Sequence, residues 1–184
     1  MTILIGLTGR ARSGKSSAAR GLVRAAESKG LTAKIFELSD YVLADLKTDG
    51  LIPKSATRED LKDNVGLLVQ RGMSRRAEDE DYWVDLLRSD LLTQKPDVAI
   101  IPNVRFLNEA DFIDSLSGNI VRVKAIVRDG VEYISPDRNP NHESETSTYQ
   151  IDADYFLTVK KGQTKLLEAQ AGALLNYLLT EAQN

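Results

Sequence analysis

Apolar residues along this chain follow two rhythms. Five short, nearly continuous β-rich runs occupy residues 3–7, 33–38, 98–101, 120–127 and 155–159. Such runs suit strands of a parallel sheet, which are covered on both faces and so lack polar alternation. Between them, apolar positions recur at helical spacing. Residues 15–28 are rich in Ala and Arg. Residues 57–71 open with Thr57 and Asp60 at capping-box spacing and set Leu61, Val65, Leu68 and Val69 on one face. Residues 81–92 gather Val84, Leu87 and Leu91, with Trp83, Leu86 and Asp90 on other faces. Residues 106–116 and 164–179 are helical in pattern, and a short helix is expected over 41–46. Strands alternating with helices predict an α/β fold, a parallel sheet with helices on both faces. Residues 48–56 and 128–149 look irregular, and a polar stretch as long as the second is usually functional when it interrupts a compact domain.

The length of 184 residues suits a single domain spanning 1–184 with a substantial core. The absence of cysteine excludes a disulfide framework, thiolate metal sites and a Cys nucleophile. No window approaches the roughly 20 apolar residues of a membrane span. The apolar start at residues 3–7 lacks the basic beginning and length of a signal peptide. A soluble, cytoplasmic protein without a membrane partner is expected. The net charge of -3, with no basic stripe, weighs against a nucleic-acid partner.

The sharpest chemical signal is Gly9-Arg10-Ala11-Arg12-Ser13-Gly14-Lys15-Ser16. It matches the P-loop pattern, follows an apolar run and opens a helical one. The glycines let the backbone curl so that N–H groups point inward at phosphate oxygens, and the helix N-terminus adds partial positive charge. Lys15 is expected to reach the phosphates of ATP, and Ser16 to ligate Mg²⁺. Arg12, Ser13 and Ser17 complete the expected nucleotide contacts. The loop defines a nucleotide site without defining a reaction. The chain lacks an Asn-Lys-x-Asp guanine-reading motif, and its third apolar run ends in Pro102-Asn103-Val104-Arg105 rather than an Asp-Glu pair.

A kinase must also hold an acceptor and neutralise charge on the transferring phosphoryl group. Arginine suits both tasks because its planar fork pairs bidentately with phosphate. Ser39 and Asp40 follow the second run; Arg71, Arg75 and Arg76 crowd one helix end; Arg105 follows the third run; Arg128 and Arg138 flank the polar loop. Ligands of open α/β sheets bind beyond the carboxyl ends of strands, which favours Asp40, Arg105 and Arg128. Asp40 is equally a candidate helix cap, general base or water-mediated metal contact. Trp83 suits either a base-stacking or a core role. His142 reads as a loop hydrogen-bonding residue, and the acidic run 78–81 as a solvated helix entry.

Five segments together resemble the bacteriophage deoxynucleoside monophosphate kinases, a branch of the P-loop nucleotide kinases. They are the P-loop, Leu68-Val69-Gln70-Arg71-Gly72, Asp81-Tyr82-Trp83-Val84, the stretch 102–110 (PNVRFLNEA), and His142-Glu143-Ser144-Glu145; the tail after Lys160-Lys161-Gly162 looks alike too. The resemblance implies transfer of the γ-phosphoryl group of ATP to a deoxynucleoside monophosphate, within a three-layer sandwich around a five-stranded sheet. It implies a monophosphate-binding region at 39–76, and a mobile lid at 128–146 bringing Arg128 and Arg138 over the ATP phosphates. It further implies that Arg105 bridges the phosphates of both substrates. Lys160 and Gly162 would contact the nucleotide; Gln70, Trp83, Glu143, Ser144 and Glu145 would contact the acceptor. Relatives often pair as homodimers. Relatives also carry Asp where this chain has Asn103. A monophosphate acceptor tolerates that difference, because its second pKa near ~6 leaves it largely ionised without a general base. Rival readings are a kinase for a hydroxyl acceptor, resembling dephospho-coenzyme A kinase or acting on a modified base in DNA, and a nucleotide-binding regulatory module without transfer activity.

Overall fold

The computed structural model describes residues 2–61, 65–136, 139 and 141–182, with the side chains of Val65 and Asp129 excepted. The described residues include five strands: β1 (Ile3–Thr8), β2 (Ala33–Ile35), β3 (Val98–Val104), β4 (Asn119–Ile126) and β5 (Tyr155–Lys160). The helices are α1 (Lys15–Glu27), α2 (Leu38–Thr48), α3 (Val65–Glu78), α4 (Tyr82–Gln94), α5 (Leu107–Ser115), α6 (Glu143–Thr146) and α7 (Thr164–Glu181). The described residues of Met1–Ile35 and Lys95–Asn184 form one compact unit, and those of Phe36–Gln94 another.

The first unit is built on one five-stranded sheet in the order β2-β3-β1-β4-β5, with every pairing parallel. Parallel strands need crossovers, and the intervening helices supply them. Alternate residues of β1 divide between two faces. Ile5 and Leu7 join Val98, Ile100, Val121 and Val123 beneath Ala18 and Leu22 of α1 and Leu167, Ala171 and Leu175 of α7. On the other face, a Cβ at Gly6 would lie 2.5 Å from Ile113 of α5. Helices therefore cover both faces, as the strand–helix alternation predicts.

The second unit holds α2, α3 and α4 around Val42, Leu43, Leu46, Ile52, Ala56, Leu61 and Trp83. Among the described residues no helix is long and apolar enough to cross a membrane.

Several boundaries differ from the sequence reading for identifiable reasons. The expected strand over 33–38 stops at Ile35, because Leu38, Val42 and Leu46 recur at helical spacing and draw the chain into α2. Asp40 accordingly sits in the first turn of α2, whose N-cap is Glu37, rather than capping a helix that starts at residue 41. Thr57 and Asp60 do bond reciprocally, at 2.7 and 3.3 Å, but around a turn; the helix described is Val65–Glu78, and residues 62–64 lie outside the described residues. Its packed stripe is Leu67 and Leu68, while Val69, about 100° further around, is exposed. β5 alternates between buried Leu157 and Val159 and exposed Phe156 and Thr158, as an edge strand with one covered face does. β3 runs on to Val104, and its register with β1 slips between Leu7–Pro102 and Thr8–Val104. Asn103 occupies that bulge at φ 69, a left-handed conformation that Asn tolerates better than most residues.

Two glycines make opposite predictions. A Cβ at Gly21 of α1 would lie 2.3 Å from the Glu168 carbonyl oxygen of α7, whereas one at Gly72 of α3 would come no nearer than 4.0 Å to Val42. Gly21→Ala should cost about 1–3 kcal/mol by overpacking. Gly72→Ala should gain about 0.5–1 kcal/mol by removing helix-interior glycine. Thermal unfolding should move by about 2–4 °C per kcal/mol for a chain of this size. A stabilised Gly21→Ala would contradict the helix contact.

Candidate active site

The loop after β1 has no room for side chains at its two glycines. Gly9 lies at φ 131 and Gly14 at φ 110. A Cβ at Gly9 would stand 2.3 Å from the Val123 carbonyl oxygen of β4, and one at Gly14 would stand 2.5 Å from Leu167 of α7. Arg12 is also left-handed, at φ 57. Gly14 is the N-cap of α1 and has no side chain to cap it, so the helix presents its first amides and their partial positive charge to the loop. Lys15 is buried, and its Nζ donates at 2.7 Å to the carbonyls of both Gly9 and Arg10.

The hydroxyls of Thr8 and Ser13 are buried and have no hydrogen-bond partner among the described residues. Buried polar atoms of this kind are rare unless a polar ligand or water completes them. Together with the side-chain-free glycines and the buried ammonium, they fit a phosphate chain and its metal ion. Ser16 is exposed at the start of α1, while Ser17 is buried and accepts a bond of 2.9 Å from Arg20. Among the described residues no group of three His, Asp or Glu side chains is placed to hold a metal by itself.

Lys160 and Gly162 were the expected contacts from the far side of the loop. Lys160 is exposed; its neighbour Lys161 donates at 2.7 Å to the Arg12 carbonyl and lies 3.9 Å from the ring centroid of Tyr133. Desolvation, and then the Arg12 charge, hold the Lys161 pKa below its ordinary value. Gly162 supplies the turn into α7 at φ 96.

Arg105 lies at the carboxyl end of β3, in the same unit. Its backbone N–H donates to Glu109 Oε2 at 2.7 Å, and the Ser147 hydroxyl lies 2.6 Å from its carbonyl. Its guanidinium donates through Nη1 to the Ser144 carbonyl at 2.9 Å and to Glu145 Oε1 at 2.8 Å. Glu145 is buried, and its other oxygen accepts the Ala11 amide of the P-loop at 3.0 Å. Burial raises the Glu145 pKa, but the Ala11 amide and the Arg105 guanidinium outweigh it and hold the carboxyl below its ordinary range.

The segment around Glu145 is anchored further. Buried Arg122 donates to the carbonyls of Thr148 and Ile151, and Arg10 donates to the Tyr149 hydroxyl. His142 caps α6 by accepting the Ser144 amide at 3.2 Å, the loop role expected of it. Glu143 is exposed. Within the expected lid, Tyr133 donates its amide to Ala125 at 2.8 Å, so the strip after exposed Arg128 folds back along β4. Arg138 lies outside the described residues.

In the second unit the acceptor candidates are paired with carboxylates. Arg71 donates to Asp45 and Asp49, and Arg75 donates to Asp45 at 3.1 and 3.2 Å. The Tyr82 hydroxyl adds a third donor to Asp45 at 3.1 Å. Asp40 pairs with Arg58 at 2.9 Å, and Ser39 accepts from the same guanidinium at 3.1 Å. Gln70 is exposed and Arg76 half-buried. Trp83 is a core residue: it is 3% exposed, its Nε1 donates to the Gly72 carbonyl at 3.0 Å, and it packs edge-on to Tyr82. Of the two roles open to it in the sequence, the structure shows the core one. The sequence reading passed over Asp45 and gave no role to Glu109 or Lys161, although both lie in segments that it singled out. Asp45 carries a sequence signal, since it sits among the apolar positions of α2.

The sequence matches no protein-family model and no curated protein. Solved structures do match. A shikimate kinase from Acinetobacter baumannii in complex with shikimate is 16% identical, with a TM-score of 0.53, over 98% of this chain and 95% of that one. The fold is that of the P-loop kinases. A shikimate kinase from Aquifex aeolicus is 17% identical, with a TM-score of 0.49, over 99% of each chain.

The Asp45 cluster carries a pH prediction. Burial raises the Asp45 pKa, but bonds from Arg75, Arg71 and Tyr82 bring it below its ordinary 3.8. A depressed carboxyl stabilises the fold above its unfolded-state pKa and loses that contribution as pH falls through its folded value. Urea midpoints should therefore drop below about pH 4. Asp45→Asn should cost ~2 kcal/mol at pH 7 and flatten the acid limb. An unchanged acid limb would remove Asp45 from this role.

Proposed function

We propose that the protein is an ATP-dependent phosphotransferase, and that its acceptor is a deoxynucleoside monophosphate, converted to the diphosphate with release of ADP. The supporting observation is the conjunction, in one unit, of a P-loop seated by Gly9 and Gly14 and containing buried Lys15 with a partly buried arginine at the adjoining strand end. The amides of residues 9–16 and the Lys15 ammonium would hold the phosphates of ATP, and Ser16 would ligate Mg²⁺. The metal ion, when bound, supplies positive charge to the phosphate oxygens. Arg105 would neutralise charge on the transferring group and orient it. The ionised oxygen of a monophosphate attacks without a general base, so positioning does most of the work. Residues 39–76 would hold the acceptor, Arg71 and Arg75 exchanging carboxylate partners for phosphate. Within the 128–146 segment, the part that carries Arg128 would close over the site and exclude water that otherwise hydrolyses ATP, while Glu145 stays docked on the P-loop.

Asp40 supports a second reading, transfer to a hydroxyl. It stands in the first turn of α2 with 55% of its side chain exposed, beside Arg58. A hydroxyl acceptor needs a general base, and a carboxylate so placed can serve as one.

ADP release should be stimulated by one or more of dAMP, dGMP, dCMP, dTMP or 5-hydroxymethylated pyrimidine monophosphates, and abolished in Lys15→Ala. Arg105→Ala should lower turnover by about 10³–10⁵-fold. Arg88→Ala, at an exposed helical position paired with Asp85 at 3.1 Å, should leave it near normal. Asp40→Asn should be mild; a loss comparable to Arg105→Ala would shift the assignment to a hydroxyl acceptor.

A further inference from the structure

Glu145 lies 134 positions from Ala11 in the chain, yet its carboxylate joins the P-loop to Arg105. Each oxygen has one task, and the group is buried. Arg105 makes both of its guanidinium bonds through Nη1. Its Nε and Nη2 take no partner among the described residues, and its backbone is fixed at N–H and carbonyl. An arginine held by one nitrogen and open along the opposite edge presents the paired donors that a phosphate accepts bidentately.

We propose that Glu145 is a positioning residue, not an acceptor contact: it locks Arg105 against the P-loop so that the loop and the Nε–Nη2 edge bind one polyphosphate as a single receptor. This rests on the reading of the loop as a nucleotide site. The direct effect of Glu145 on a bound polyanion is repulsive, since it is a carboxylate beside phosphate. Its indirect effect, through Arg105, is favourable. Removing its charge therefore separates the two by sign.

The test is the equilibrium dissociation constant of MgATP, measured by isothermal titration calorimetry without any acceptor. Glu145→Gln keeps size and an acceptor oxygen but loses the charge-assisted bond to Arg105. It should weaken binding by about tenfold, Arg105→Ala should weaken it similarly, and the double variant should be no weaker than Arg105→Ala alone. Binding that is unchanged or tighter in Glu145→Gln, or losses that multiply in the double variant, would overturn the proposal. Should Glu145→Gln unfold, Glu145→Asp retains the charge but is one methylene too short to span both partners; it should also weaken binding, and wild-type affinity would overturn the proposal. Lys15→Ala reports on the underlying site: unaltered affinity there would dismiss the loop as a nucleotide site. A wild-type protein that binds MgATP but transfers phosphate to no acceptor would instead defeat the proposed reaction while leaving the Glu145 comparison decisive.

Discussion

The site rests on one close approach, that of the Gly9 backbone to the Val123 carbonyl on the neighbouring strand. β1 is the middle strand of five, so the chain leaving its carboxyl end is bounded on both sides. Only a residue without Cβ can pass there, and Gly14 faces the same demand from Leu167 of α7. This seating sets the position of the loop above the sheet. From it follow the reach of Lys15 across to the Gly9 and Arg10 carbonyls, the aim of the first amides of α1, and the placing of the Ala11 amide for Glu145. The α1–α7 contact at Gly21 supports the same geometry from below, because it fixes the helix that the loop opens.

The arginine–carboxylate assemblies around Asp45 and around Glu145 differ in their saturation. In the second unit Arg71 spends Nε and Nη2 on carboxylates, while Arg75 spends Nε and Nη2 on Asp45 and Nη1 on Glu78. An anion arriving there has to displace carboxylates, so binding would be an exchange of partners. Arg105 instead commits one nitrogen and keeps a donor edge. The first arrangement holds the shape of its own unit. The second leaves a donor edge that needs little reorganisation to meet an anion.

What could be read from the sequence was what is local. The P-loop residues are contiguous and carry their own strand–helix context, so their positions and the parallel α/β fold followed directly. The position of Arg105 at a strand end was legible because it directly follows the third apolar run. The structure adds most where local pattern is ambiguous or partners are remote. Residues 36–38 are apolar enough for a strand, but Leu38, Val42 and Leu46 share a helical face that packs in the second unit. Lys160 and Lys161 are adjacent, and only the end of β5 decides which one turns toward the Arg12 carbonyl. Asn103 resembles a substituted catalytic position in sequence, while its backbone shows a bulge. Glu145 could be named from a motif, but its partners lie 134 and 40 positions away, beyond any local pattern.

That separation has a consequence for synthesis. β1 precedes its partner strands, which begin at Val98 and Asn119, and Glu145 lies further along still. Contacts of such long range are slow to form, because loop-closure entropy is lost before they repay it. The segment with the P-loop motif therefore emerges from the ribosome well before the strands that seat it. The Ala11 amide waits a further 134 residues for the Glu145 carboxylate, so the loop cannot reach its final geometry in the early steps of folding.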